Sequence, residues 1–352
     1  MNDLFQIPQY SLSCKQKERL LLDELNTLTR HHQGHCQTYA KLMETLKLLS
    51  PPYSSMSEIP YLPINLFKKY DLVSVPQNEI YKTLLSSGTT DSVPSKIYLD
   101  RKTAQLQTAA LAAIMTHLLG QKRLPMLIID QEDVFADPKK YSARSAAILG
   151  MLNFGRDPFY LLDKNNEIRE APFTDWYEKY LNEPILIFGL TFMVWKYFFE
   201  SFPPDKISLP NGILLHTGGW KKLQALSVSN EEFKARAKAV SGIHRCHNFY
   251  GFVEQVGSVF MECERGVFHS PNFAEVIIRD PLNWKEASIG VQGVVQTVST
   301  LPWSYPGHSL LTEDLGQIIG IDECMCGRKG KTFKIEGRVP RAEPRGCSDV
   351  TT

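Results

Sequence analysis

The chain has 352 residues, 43% hydrophobic and 22% charged, which are the proportions of an ordinary globular protein with a large core. Its net charge of +1 supplies no attractive field for a polyanion, so bulk electrostatics point away from nucleic acid as a partner. Seven scattered cysteines, an odd set, argue against a secreted disulfide framework. The opening MNDLFQIPQYSLSCKQKE lacks the basic-then-apolar order of a secretory signal, so a cytoplasmic location is expected.

Residues 14–31 read as an amphipathic helix, with Leu20, Leu21, Leu25 and Leu28 near helical spacing and Ser13 with Gln16 as a capping box. A second helix is predicted over 35–49, stopped by Pro51-Pro52. Pro60, Pro63 and Pro76 then predict extended, irregular chain through residue 80. Next comes Ser86-Ser87-Gly88-Thr89-Thr90-Asp91-Ser92-Val93-Pro94-Ser95-Lys96. Such a loop offers backbone N–H groups, hydroxyls and one ammonium to a phosphate, although taken singly such loops are more often solvated turns. A strand at 97–99 and a helix over 102–119 follow.

Residues 126–129, 185–188 and 212–215 read as buried strands, alternating with helices over 141–152 and 192–199. This order predicts an α/β fold with a mainly parallel sheet and covering helices. The distal third turns β-rich, with short runs at 259–261, 274–278, 293–298, 316–321 and 332–335. The apolar run from Pro184 to Trp195, bounded by Glu183 and Lys196, falls short of the ~20 residues a spanning helix needs, so the chain is not expected to cross a membrane. The aromatic-apolar run 185–199 fits part of an acyl pocket, with plain core packing as the equal alternative. After Gly337 the chain reads as an extended tail.

Three further motifs carry chemistry. His216-Thr217-Gly218-Gly219-Trp220 follows a strand, where paired glycines let backbone approach a nucleotide or simply make a tight turn. Tyr250-Gly251-Phe252-Val253-Glu254 pairs an aromatic ring that can stack on a base with a carboxylate that can hold Mg²⁺. Thr312-Glu313-Asp314 places an acid before a strand, where it can accept hydrogen bonds from ribose hydroxyls. Each of the last two, taken singly, also reads as a solvated turn.

The order of these motifs, closed by Gly337-Arg338, resembles the adenylate-forming superfamily of acyl-CoA synthetases and related ligases. More closely, the chain resembles the acyl-protein synthetase (LuxE) family, whose members activate fatty acids for the reductase complex of bacterial luminescence. The segments YLPINLFKKYDLVSV, KTLLSSGTTDSVPSKIYLD, PILIFGLTFMVW, LLHTGGWKKL, STLPWSYPGHSLLTEDLG, CMCGRKGKTFKIEGR and EPRGCSD carry that likeness, across roughly residues 55–350. It implies the large adenylating domain of the superfamily without the small C-terminal domain. The implied layout is an N-terminal segment over 1–75, an adenylating α/β domain over 76–336 and a tail over 337–352.

The resemblance also implies roles. Ser86, Ser87, Gly88, Thr89, Thr90 and Lys96 would embrace the ATP phosphates. Gly218, Gly219, Trp220, Tyr250 and Gly251 would frame the adenine. Glu254 would hold Mg²⁺, Asp314 would bind the ribose, and Arg338 would contact the nucleotide. Asp91 departs from the glycine common at its position. The adenylation lysine of the missing domain has no counterpart, with Lys221 and Lys222 as nearby candidates. In the family, the cysteine matching Cys347 accepts the acyl group as a thioester, and Arg341 and Arg345 could favour its ionisation. Ten extended residues after Gly337 would reach roughly 33 Å, enough to carry that group between sites.

One cysteine set lies apart from these motifs. Cys263-x5-His269 and the distant Cys324-x-Cys326-Gly327 supply three thiols and an imidazole, a known tetrahedral zinc set, although each piece also fits ordinary packing. The expected activity is ATP-dependent activation of a fatty or other carboxylic acid, then transfer to Cys347 for delivery to a reductase or other acceptor protein. Release to free coenzyme A, or an inactive scaffold of the same fold, are the alternatives.

Overall fold

A computed structural model of the chain describes residues 2–48, 50–86, 93–135, 143–204, 206–220 and 227–340. They fall into two compact units, one made of the chain up to Gly120 and again from Gly251, the other of Gln121–Tyr250.

The first unit opens with α1 (Asn2–Gln6), α2 (Cys14–His35) and α3 (Gln37–Thr45). The capping box forms: Gln16 Oε1 accepts the Ser13 N–H at 3.0 Å, and the Ser13 hydroxyl accepts the Gln16 N–H. Leu21, Leu25 and Leu28 are fully buried, whereas Leu20 faces outward. The helix outruns its predicted end because His32 is itself buried, bonded to the Pro302 carbonyl at 3.0 Å and the Ser74 hydroxyl at 2.7 Å. Conversely α3 stops early, where Lys47 adopts φ +51°. The proline-rich stretch holds short elements: β1 (Leu62–Pro63), α4 (Leu66–Lys69) and 3-10 turns at Met56–Glu58 and Gln77–Glu79. Next, β2 (Lys82–Leu85) and β3 (Lys96–Leu99) pair as an antiparallel hairpin. The Asp100 carboxylate caps α5 (Arg101–Leu119), accepting from the Thr103 N–H at 2.7 Å.

The second unit contains β4 (Leu124–Gln131), α6 (Ala143–Leu152), β5 (Gly155–Leu162), α7 (Glu170–Tyr180), β6 (Leu186–Leu190), α8 (Thr191–Val194), β7 (Ile213–Thr217), α9 (Asn230–Ser241) and β8 (Arg245–Tyr250). Its strands lie in the order β5-β4-β6-β7-β8, all parallel. Both faces are covered, which is why β6 and the first three residues of β7 are apolar without alternation and both strands are buried along their whole length. The helix predicted over 192–199 changes character midway, α8 running into a π-helical turn at Trp195–Phe199. Ile185, Ile187, Met193, Val194, Phe198 and Phe199 all pack inside this unit's hydrophobic core. Phe192, Trp195 and Tyr197 pack against that core from partly buried positions. No helix among the described residues is long and apolar enough to cross a membrane.

The first unit resumes with β9 (Phe260–Glu262), β10 (Phe268–His269), β11 (Ala274–Arg279), β12 (Gly293–Ser299), β13 (Ser309–Ile321) and β14 (Lys331–Arg338). These form an antiparallel array in the order β11-β12-β13-β14-β10-β9, with β1 parallel to β13. The predicted β-rich third is present. One detail differs: Thr312–Asp314 belongs to β13 itself, not to a turn before it, because the strand absorbs a register shift at Leu315/Gly316.

Candidate active site

In the first unit, the base of the hydroxyl loop is closed by two hydrogen bonds. The Ser86 N–H donates to the Ser95 carbonyl at 3.0 Å, and the Ser95 N–H donates to the Ser86 hydroxyl at 2.8 Å. Ser95 has no exposed surface, and its hydroxyl donates to Glu254 Oε1 at 2.6 Å. Glu254 sits in a 3-10 turn, Val253–Gln255, with only 2% of its surface exposed. The turn is tied down by Gln255, whose amide donates to the Gly307 carbonyl at 2.9 Å. Burial, reinforced by the nearby Glu254 charge, pushes the Tyr305 phenol well above its usual range. Two motifs 159 positions apart in sequence thereby meet through a buried, charge-assisted bond.

Lys96 is exposed and lies 3.6 Å from Asp71, which also accepts the Tyr98 hydroxyl at 2.6 Å. On β13 and β14, Asp314 and Arg338 are register partners. Arg338 donates to Glu313 at 2.7 Å and its Nε lies 3.6 Å from Asp314, all three side chains being partly exposed. Thr312 steadies this strand: its hydroxyl donates to the Val295 carbonyl at 2.8 Å and accepts the Asp314 N–H at 3.1 Å.

In the second unit, Thr191, Gly218 and Tyr250 stand at the carboxyl ends of neighbouring strands β6, β7 and β8, the edge where α/β sheets bind ligands. Gly218 adopts φ +79°, a conformation that favours glycine, and a side chain on Gly219 would meet nothing within 4 Å. The pair therefore presents open backbone. Thr191 organises it. Its hydroxyl lies 2.7 Å from the Gly218 carbonyl, 3.1 Å from that of Thr217 and 2.9 Å from His216 Nδ1. One hydroxyl has one proton, so it donates to Gly218 and receives the imidazole Nδ1–H. That leaves His216 Nε2 as a buried acceptor with no hydrogen-bond partner among the described residues. Burial, with Lys234 and His247 adding to it, lowers the His216 pKa to about 3, so the ring is neutral. It stacks on Phe233 at 4.3 Å. Trp220 packs edge-on against Trp195 at 5.5 Å.

The cysteine set is brought together. The ligand atoms of Cys263, His269, Cys324 and Cys326 all lie within 4.8 Å of one another. Burial raises the Cys263 thiol, raises Cys326 to about 12 and lowers His269 to about 4. Ser87, Gly88, Thr89, Thr90, Asp91, Lys221, Lys222 and Cys347 lie outside the described residues. Two organising residues, Asp71 and Thr191, escaped the sequence reading, and Ser95 was read only as one of the loop's hydroxyls, not as the partner of Glu254. Of the first two, only Thr191 had a local signal, as a lone hydroxyl directly after an apolar strand.

The family model described as Acyl-protein synthetase, LuxE, matches residues 2–352. Among curated proteins, none matches the chain. Among solved structures, a 2-hydroxyisobutyryl-CoA ligase in an open conformation, in complex with 2-HIB-AMP and CoA, is similar with a TM-score of 0.72. Its identity is 16%, over 94% of this chain and 77% of that one. The same ligase in its postadenylation state gives 0.69, over 93% and 69% of the two chains at 16% identity. ATP-bound MatB from Rhodopseudomonas palustris gives 0.50 at 15% identity, over 75% of this chain and 49% of that one. At such identities the likeness is one of fold, that of the adenylate-forming ligases. The match along residues 2–352 is what settles the lineage: this chain belongs to the acyl-protein synthetase (LuxE) family.

Proposed function

We propose that the protein activates a carboxylic acid, a fatty acid foremost, with ATP, giving an acyl-adenylate and pyrophosphate, and then moves the acyl group to Cys347 as a thioester. The observation that carries this reading is the buried Ser95–Glu254 bond. It brings the acid of the Tyr-Gly-x-x-Glu motif to the base of the hydroxyl-rich loop, which supports a site that would hold a metal beside phosphates.

The residues fit the groups assigned to them. Glu254 is a hard oxygen donor with one oxygen fixed by Ser95, which suits Mg²⁺, an ion held by one or two carboxylates plus phosphates. When bound, Mg²⁺ would neutralise phosphate charge. Ser86 and the loop it closes, Ser87, Gly88, Thr89 and Thr90, would donate to phosphate oxygens. Lys96 would exchange Asp71 for phosphate, since a largely exposed pair at 3.6 Å holds it weakly. Gly218 and Gly219 offer open backbone to the adenine, with Trp220 next to them in sequence and Tyr250, followed by Gly251, at the end of the neighbouring strand β8. Asp314 would accept from the ribose hydroxyls, and Arg338 would steady it there. No protein base is needed, because the attacking carboxylate is already an anion; positioning and charge stabilisation suffice.

In the second step the Cys347 thiolate attacks the acyl carbonyl and AMP leaves. The acyl-enzyme would then hand its cargo to a reductase or another acceptor protein. Acid-dependent ATP–pyrophosphate exchange tests the first step, and its absence with every acid tried would overturn the reading. Acyl-CoA formation with Cys347 unlabelled would keep the adenylation and replace the acceptor.

A further inference from the structure

We propose that Cys263, His269, Cys324 and Cys326 bind one structural Zn²⁺, which clips the β9–β10 turn to the loop between β13 and β14. The ligand geometry is the first ground. Cys263 Sγ and Cys324 Sγ are 3.9 Å apart, and Cys326 Sγ is 3.4 Å from His269 Nε2. A zinc tetrahedron with Zn–S near 2.3 Å and Zn–N near 2.0 Å has S–S edges of about 3.8 Å and S–N edges of about 3.5 Å. The spacing between sulfurs is far too long for a disulfide bond, about 2.05 Å, and such a bond would leave the third thiol and the imidazole unexplained.

The backbone is the second, independent ground. Two turns of the same construction deliver the thiols. In each, a glycine three residues after a cysteine takes positive φ, +74° at Gly266 and +86° at Gly327. In each, its N–H donates back to the cysteine carbonyl, Gly266 to Cys263 at 3.0 Å and Gly327 to Cys324 at 2.9 Å. Backbone N–H groups are aimed at sulfur as well: Arg265 N–H lies 3.4 Å from Cys263 Sγ, and Arg328 N–H donates to Cys326. Donors of this kind stabilise thiolates rather than thiols. His269 is fixed by β10, paired to Thr332 of β14 and Met261 of β9.

Binding releases a proton from each thiol and leaves the centre with one net negative charge. A cation stands close by: the Arg328 guanidinium lies 4.9 Å from the Tyr10 ring centre, and Tyr10 meets His269 edge-on at 6.2 Å. Four protein ligands complete a tetrahedron and leave no position for a substrate, so the ion holds structure and does not catalyse. What it holds is the link between β13 and β14, the two strands that carry Asp314 and Arg338.

The test is metal analysis of full-length protein purified without chelator from zinc-supplemented medium. The expected content is about one zinc per chain, released when a mercurial titrates the thiols of the unmodified protein. Replacing it with Co²⁺ should give the intense visible bands of a tetrahedral thiolate site. Cys324→Ser and Cys326→Ser should weaken zinc affinity by at least about 10–100-fold, while Cys14→Ser keeps the metal. The mercurial and Co²⁺ measurements use the native chain, so they stand even if a variant fails to fold. Well under one metal per chain with no Co²⁺ uptake, iron in place of zinc, or a Cys263–Cys324 disulfide by mass would each overturn the proposal.

Discussion

Ser95→Ala removes one hydroxyl and nothing else from the centre of the first unit. The lost bond is 2.6 Å long, fully buried and made to a carboxylate. Hydrogen bonds to charged groups contribute about 1.5–3 kcal/mol, and the orphaned Glu254 oxygen adds to that loss. In a unit of this size, 1 kcal/mol moves the midpoint of thermal unfolding by roughly 2–4 °C, so Tm should fall by about 4–10 °C. If the same bond aims Glu254 at the metal, about 2 kcal/mol of transition-state stabilisation goes with it. Pyrophosphate exchange should then slow about 30-fold. Calorimetry and exchange kinetics on one preparation read both effects. Glu254→Gln separates them: it keeps an oxygen for Ser95 and most of the stability, yet should nearly abolish Mg²⁺-dependent exchange. Unchanged exchange in Glu254→Gln, or an unchanged Tm in Ser95→Ala, would refute the reasoning.

Thr191→Val keeps the shape of the side chain but loses the bond to the Gly218 carbonyl; it should cost about 1 kcal/mol and raise KM for ATP more than it lowers kcat. Arg144 Nε donates to Asp130 at 2.6 Å, both nearly buried, so Arg144→Met should leave an unpaired buried carboxylate and cost about 3–5 kcal/mol in urea titrations. His216 and His308 are buried neutral, with burial the main cause of pKa values near 3. Unfolding restores an ordinary value near 6.5, so between about 6.5 and 3 the unfolded chain binds more protons and stability falls as the pH drops. Each ring should account for about 2 kcal/mol lost between pH 7 and pH 5. Denaturation of His308→Gln across that interval should show the smaller slope, and an equal slope would contradict the assignment.

Local pattern carried most of the elements. The leucines of α2, its capping box and the alternation of buried strands with helices were all legible, because each is set by neighbours in sequence. What was not legible depends on tertiary partners. The extension of α2 rests on His32 meeting Ser74 and Pro302. β5 contains Pro158 and charged residues and reads poorly as a strand, yet it pairs along β4. The sequence reading gives α9 no bounds, although Phe233, Ala237 and Val240 share a face and Ser229 caps it. At the site, motif order identified the family, but the contacts that organise it were invisible. Nothing in Ser95 announces a partner at position 254, and nothing in Asp71 announces Lys96. The four zinc-ligand types were visible; their convergence came only with the turns at Gly266 and Gly327.

The central claim is that a carboxylic acid passes through an adenylate to Cys347. Intact-mass analysis after incubation with ATP, Mg²⁺ and a panel of carboxylic acids addresses it directly. The account predicts a hydroxylamine-labile mass increase of one acyl group, specific to certain acids, absent from Cys347→Ser although that variant still exchanges pyrophosphate. Equal labelling of Cys347→Ser would contradict it.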